Sequence, residues 1–202
     1  MTGIRSNSSS LPASLLLAAF VFSIVIVPLN ASETVYTFQQ LLDDAGLTLH
    51  EPDGFIKKEP EENAVLSYEY ALQHQQKKLA VRYAIRPIAM VQIDYEDPHN
   101  AAPEPNHLFP MLFQTLVSDF SRGGNSPTNE YSTSDAKSKF NADWAAVGVM
   151  DVNRDFSTEY DQLLLLALHK NNASDAYVIL LFDDYAAVKP EINSVLESLK
   201  FK

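Results

Sequence analysis

The sequence predicts an α+β fold, an antiparallel β-sheet flanked by helices on both faces. Three observations predict it. Two neighbouring runs, Gln162–Lys170 and Asp175–Asp183, are apolar on both faces, which places them at the centre of a sheet covered on each side. Leu108–Phe120 and Val188–Leu199 carry apolar residues at helical spacing and supply the cover. Most connections between strands are too short for the crossovers that parallel pairing needs, so the sheet is antiparallel.

The elements follow in order. Residues 1–32 contain no acid and one base, Arg5, and hold an apolar run from Leu11 to Leu29. A small residue, Ala31, precedes the first acid, Glu33. This is the pattern of a secretory signal peptide cleaved after Ala31. The alternative is an uncleaved N-terminal anchor, since 19 helical residues span about 28 Å of hydrocarbon. Residues 33–202 then form a single domain, of a size that one core can stabilise.

Thr37–Leu42 is predicted as a short helix, capped by Thr37 and followed by Gly46. Leu47-Thr48-Leu49 is a short strand, and Pro52-Asp53-Gly54 is a turn. Ala64–Leu72 and Leu79–Arg86 alternate as a hairpin around Gln73–Lys78. The predicted register pairs Leu72 with Leu79, Tyr70 with Val81, Tyr68 with Tyr83 and Glu69 with Arg82. A strand at Val91–Asp94 and an exposed loop precede the Leu108–Phe120 helix, for which Asn106 is the expected cap. The helix stops near Gly123-Gly124, and the segment through Asn129 is read as a loop. Asp135–Asn141 is a helical turn and Trp144–Val152 a strand. The central hairpin turns at Asn171–Ser174, in a register centred on the Asn172–Ala173 bond. A C-terminal helix from Val188 to Leu199 has Pro190 near its first turn.

This order resembles the PsbP-like α/β/α sandwich family, in its bacterial envelope or periplasmic branch. The residues that carry the resemblance are the Pro52-Asp53-Gly54-Phe55 turn into a strand, the hairpin after it, the mid-chain amphipathic helix and the closing strand–strand–helix through Leu199-Lys200-Phe201. The resemblance implies partner binding and offers no common catalytic residue to carry over. Envelope members are often lipoproteins, and this chain has no lipidation cysteine.

Composition narrows the function. Hydrophobic residues make up 46% of 202 residues, so a core is available. The net charge of −11 argues against nucleic-acid binding, which needs clustered cations. The absence of cysteine excludes disulfides, thiolate metal sites and cysteine nucleophiles. No nucleophile elbow, phosphate-binding Gly loop or His-Glu-x-x-His motif is present, so no cofactor is expected.

The densest ligand-like cluster is Asp94, Glu96, Asp97, His99, Glu104 and His107. Asp94, Asp97, His99 and His107 are the candidate metal ligands, but their spacing fits neither an EF-hand nor a helical ligand pair, and a solvated acidic loop is the expectation. Asp161, Asp183 and Asp184 converge at one sheet end, with Asp184 opposite Asp161, and should splay into water. His169 is expected to be wetted at a turn, and His50 and His74 have no visible partner. Asn172-Ala173-Ser174 is a glycosylation triplet of a kind frequent by chance. Trp144 reads first as a core residue and otherwise as an exposed partner-binding anchor.

The expected function is that of an exported, non-enzymatic binding or accessory protein of the envelope or periplasm. Its partner would be a protein or a small ligand, with no nucleic acid, and with the membrane touched only through an uncleaved N-terminal segment. The rival is a small periplasmic metal-dependent or hydrolytic enzyme using loop 94–107.

Overall fold

The computed structural model describes residues 36–90, 104–123 and 126–202. The expected signal peptide or anchor, the strand expected at Val91–Asp94, and Asp94, Glu96, Asp97 and His99 lie outside the described residues. The elements are α1 (Phe38–Asp44), β1 (Leu47–Leu49), β2 (Phe55–Lys58), β3 (Tyr70–His74), β4 (Leu79–Pro87), α2 (Phe109–Phe120), β5 (Thr128–Glu130), α3 (Thr133–Phe140), β6 (Trp144–Asp151), β7 (Gln162–Lys170), β8 (Ser174–Phe182), α4 (Tyr185–Leu196) and β9 (Leu199–Phe201). Seven strands make one antiparallel sheet in the order β2-β3-β4-β8-β7-β6-β5, and β1 pairs separately with β9.

The central hairpin is buried on both faces, as its composition requires. Leu164, Leu166, Leu180 and Phe182 point into one core, with Leu41 of α1, Phe140 of α3 and Ile192 of α4. Leu163, Leu165, Ile179 and Leu181 point into the other, with Phe113, Leu116, Val117 and Phe120 of α2. Helices therefore cover both faces, and each core is built from alternate residues of the same strands.

Local chemistry sets the boundaries. Thr37 and Gln40 form the reciprocal cap of α1, the Thr37 hydroxyl accepting from the Gln40 amide and the Gln40 side chain accepting from the Thr37 amide. Gly54 adopts φ +82°, and a Cβ there would lie 2.9 Å from His74 Nε2. Only glycine meets both demands before β2.

Several expectations are corrected. In the first hairpin Tyr70 pairs with Tyr83 and Leu72 with Val81, two residues away from the predicted register. A two-residue slip keeps every side chain on its face, so the apolar pattern does not oppose it. The turn decides instead. His74 Nδ1 accepts from the Gln76 and Lys77 amides, so His74 has backbone partners and fixes the loop. Residues 64–69 form no strand, because Asn63 Oδ1 accepts from the Val65 and Leu66 amides and bends the chain there. Glu69 bonds Arg86, not Arg82. Arg82 lies between the Tyr68 and Phe156 rings, 4.8 and 4.7 Å from their centroids.

The β7–β8 turn is one residue shorter than expected. Lys170 pairs with Ser174, and Asn172 takes the left-handed conformation at φ +58°. This register sets Asp161 beside Asp183 and releases Asp184 to cap α4, where its carboxylate accepts from the Ala186 and Ala187 amides. The helix consequently starts earlier than predicted, and Pro190 falls in its interior. It also ends earlier, because Leu199–Phe201 is a strand paired with Leu47–Leu49. Thr128 and Asn129, read as loop, form with Glu130 the edge strand β5. Asn106 does not cap α2, which carries no side-chain cap. Asn106 instead braces the β7–β8 turn, accepting from the Asn172 amide at 2.7 Å and donating to Asn172 Oδ1 at 3.0 Å. Among the described residues no helix is long and apolar enough to cross a membrane.

Candidate functional site

The site is built where the N-terminal turn of α2 crosses the ends of β6, β7 and β8. The ladder sets Trp144 opposite His169 and His169 opposite Asp175. Paired residues share a face, so all three point toward α2. The next strand places Arg86 opposite Asp175. Trp144, His169, Asp175 and Arg86 thus form one row across four strands, with Phe109 of α2 over Trp144 and His169.

His169 is only 1% exposed, which corrects the expectation of a wetted turn residue. Its Nδ1 lies 2.6 Å from Asp175 Oδ1 and its Nε2 lies 3.1 Å from Asn171 Oδ1. Asn171 is held in turn by its own amide, which donates to Asp143 Oδ2 at 2.9 Å. Phe109 covers the imidazole, the two rings stacked at 4.1 Å and 20°. Both ring nitrogens are engaged and one face is covered, so no substrate proton comes within reach and His169 is not placed to act as a general base.

Trp144 sits between this buried pair and solvent. Its ring meets Phe109 at 4.8 Å and Phe113 edge-on at 5.7 Å. It is half-buried, so neither expectation for it holds alone. One side packs on the second core, and the other lines an open groove of about 140 Å³. Pro110, Phe113 and Gln114 of α2 form one wall; Thr128, Asn129 and Glu130 of β5 form the other; Ala146 completes the floor. Glu130 is the one charge in the lining and has no ion-pair partner among the described residues.

The three carboxylates expected to splay into water are each matched by a protein partner. Asp183 bonds Lys78 at 2.5 Å, and that hydrogen bond holds its carboxyl below the ordinary value. Asp161 pairs with Arg154 at 2.7 Å. Asp184 caps α4, as above. Lys77 bridges Glu191 at 2.6 Å and the Ala187 carbonyl at 2.9 Å, and its hydrogen bond lowers the Glu191 carboxyl. A hollow of about 220 Å³ lies between these lysines and the first turns of α4, but the charges around it are already matched. Of the candidate metal ligands, His107 is described: it is exposed and pairs with Glu104 at 3.5 Å. Among the described residues no group of three or more metal-ligating side chains converges.

Sequence reasoning singled out Trp144 but missed the groove. Its two walls come from segments with opposite legibility. Pro110 and Phe113 belong to a clear helix, whereas β5 is three polar residues long and has no alternation to read.

No protein-family model matches the chain, and no curated protein matches it. Among solved structures, the chain is similar to cyanobacterial PsbP (CyanoP) from Synechocystis sp. PCC 6803, determined in solution. The similarity covers 78% of this chain and 88% of that one, with 13% identity and a TM-score of 0.40, and is a likeness of fold.

Proposed function

We propose that this chain is an exported, non-enzymatic binding or accessory protein of the cell envelope, and that it meets its partner at the Trp144 groove. Export is supported by the acid-free first 32 residues with their apolar run. The observation that carries the binding reading is Trp144 itself. A half-buried indole, backed by Phe109 and Phe113 and open on its outer side, offers a rigid apolar anchor at little entropic cost.

Trp144 is the single tryptophan, so its emission reports on the groove alone. The direct test places a photoreactive side chain at Gln114, on the groove wall, and another at Lys58, on the opposite sheet edge. Irradiation of the native envelope should give a discrete adduct from position 114 that Trp144→Ala abolishes. Equal labelling from both positions would reject the groove as the binding face. N-terminal sequencing of the protein from its native host tests export, with a start near Ser32 expected. An intact Met1 on a cytoplasmic product would overturn it.

A further inference from the structure

Among the described residues, the two outer strands of the seven-stranded sheet differ in chemistry. One is β2, whose Lys57 and Lys58 are of the kind that blunts an edge against further pairing. The other is β5, with the sequence Thr128-Asn129-Glu130, all three exposed. It carries no lysine and no proline within its span.

The bonding pattern fixes which groups of β5 point outward. The Val149 amide donates to the Pro127 carbonyl at 3.1 Å, and the Tyr131 amide donates to the Ala145 carbonyl at 2.9 Å. In an antiparallel ladder such bonds recur at every second residue. Residues 127, 129 and 131 therefore face β6, and the N–H and C=O groups of Thr128 and Glu130 face away. Among the described residues nothing bonds these four groups. They lie beside the Trp144 groove, because Thr128 pairs with Gly148 and Glu130 with Ala146 on the α2 face.

We propose that β5 accepts an additional strand: an extended basic peptide that pairs with the Thr128 and Glu130 backbone and lays an apolar side chain in the Trp144 groove. This rests on the reading of the groove as the binding face. Main-chain bonds along the edge hold such a peptide, and alternate side chains select it. Residues of the added strand opposite Glu130 and Thr128 fall on the groove face, two positions apart. Opposite Glu130 the unpaired carboxylate selects Lys or Arg. Opposite Thr128 an apolar side chain enters the end of the groove beside Gly148, where Val117 of α2 lies near Thr128. The selected pattern is basic–x–apolar, in keeping with a net charge of −11 on the protein.

The test uses the protein purified from its native host and three labelled nine-residue peptides. One carries lysine and valine or phenylalanine in turn at its odd positions with threonine between them, so that basic and apolar side chains share a face; the second has glutamate for lysine, and the third is the first with alternate amides N-methylated along one edge. Anisotropy and Trp144 emission are read together. The basic peptide should bind and shift the emission, and the other two should bind at least about tenfold more weakly, a loss typical for one good contact. Thr128→Pro removes an outward amide and no ladder bond; it should keep the melting temperature and lose about tenfold in affinity. Glu130→Lys should reverse the preference toward the acidic peptide. Should Thr128→Pro fail to fold, the N-methylated peptide decides the backbone question with the unaltered protein. Equal binding of methylated and unmodified peptides overturns strand addition, and an emission shift persisting with both would leave the groove as the binding face. Absence of binding by all three at millimolar levels also overturns the proposal, while the Gln114 adduct tests the groove separately.

Discussion

His169 and Asp175 face each other across the β7–β8 ladder, Nδ1 2.6 Å from Oδ1, at a position almost closed to water. A polar pair in such a place is stabilising only while both partners are present. Asp175→Ala should leave His169 Nδ1 without an acceptor and cost about 1–3 kcal/mol, the usual penalty for an orphaned buried group. His169→Phe combined with Asp175→Ala should recover part of that loss. Urea denaturation of the two single variants and the double checks this, and additive losses would show that the pair is uncoupled.

Leu166→Ala should cost about 2–5 kcal/mol, because the side chain is fully buried in the core lined by α1, α3 and α4. Leu165→Ala should cost a similar amount through the opposite core. A denaturation midpoint unchanged by either would mean that one sheet face is open.

Alkaline pH should destabilise the fold. Burial pushes the Tyr83 phenol from 10.0 up to about 12. Above pH 10 the unfolded chain gives up this proton and the folded chain keeps it, so stability is complete below pH 10 and falls as pH rises toward 12. The loss amounts to about 3 kcal/mol over that window. Tyr70 and Tyr177 are shifted in the same direction, chiefly by burial. Tyr83→Phe should flatten the decline of melting temperature between pH 10 and 12, as read by circular dichroism.

Acid acts through the opposite sign. The Lys78 hydrogen bond lowers the Asp183 carboxyl below 3.8, so its contribution is present above that pH and disappears as pH falls through the lower folded value. The pair is partly exposed, and its contribution should shrink in high salt. Asp183→Asn should therefore lower the melting temperature slightly at neutral pH and make no difference in strong acid.

The segment Asp94–His107 should not hold a metal. Its spacing matches no ligand loop, and the exposed His107 pairs with Glu104. Calorimetry with calcium, zinc and manganese should give no saturable heat, and chelator should leave the melting temperature unchanged. Micromolar binding abolished by His99→Ala with Asp97→Ala would restore the metal-enzyme reading.

What was legible depended on how far each signal reaches along the chain. The faces of β7 and β8 follow from local alternation of large apolar residues, and Leu163 through Leu166 fell on the faces expected. The two hairpin registers did not follow, because turn chemistry sets them. His74 accepting two amides fixes one turn, and Asn172 in the left-handed region fixes the other. β9 was hidden because Leu199 continues the apolar spacing of α4, and only its partner β1, at the other end of the domain, draws it out as a strand. The burial of His169 has the same origin. Its acceptor lies across a turn and its cover, Phe109, lies sixty residues earlier, so neither shows in the neighbouring sequence.

The strand order carries a consequence for how the protein is made. β4 and β8 pair along nine positions, yet four strands and two helices are translated between the first hairpin and the end of β8. Until β8 emerges, β4 has no inner neighbour, and the hairpin it forms with β3 waits with an apolar edge uncovered. Contacts so distant in sequence close slowly. The centre of the sheet therefore closes only after nearly all of the chain has been translated.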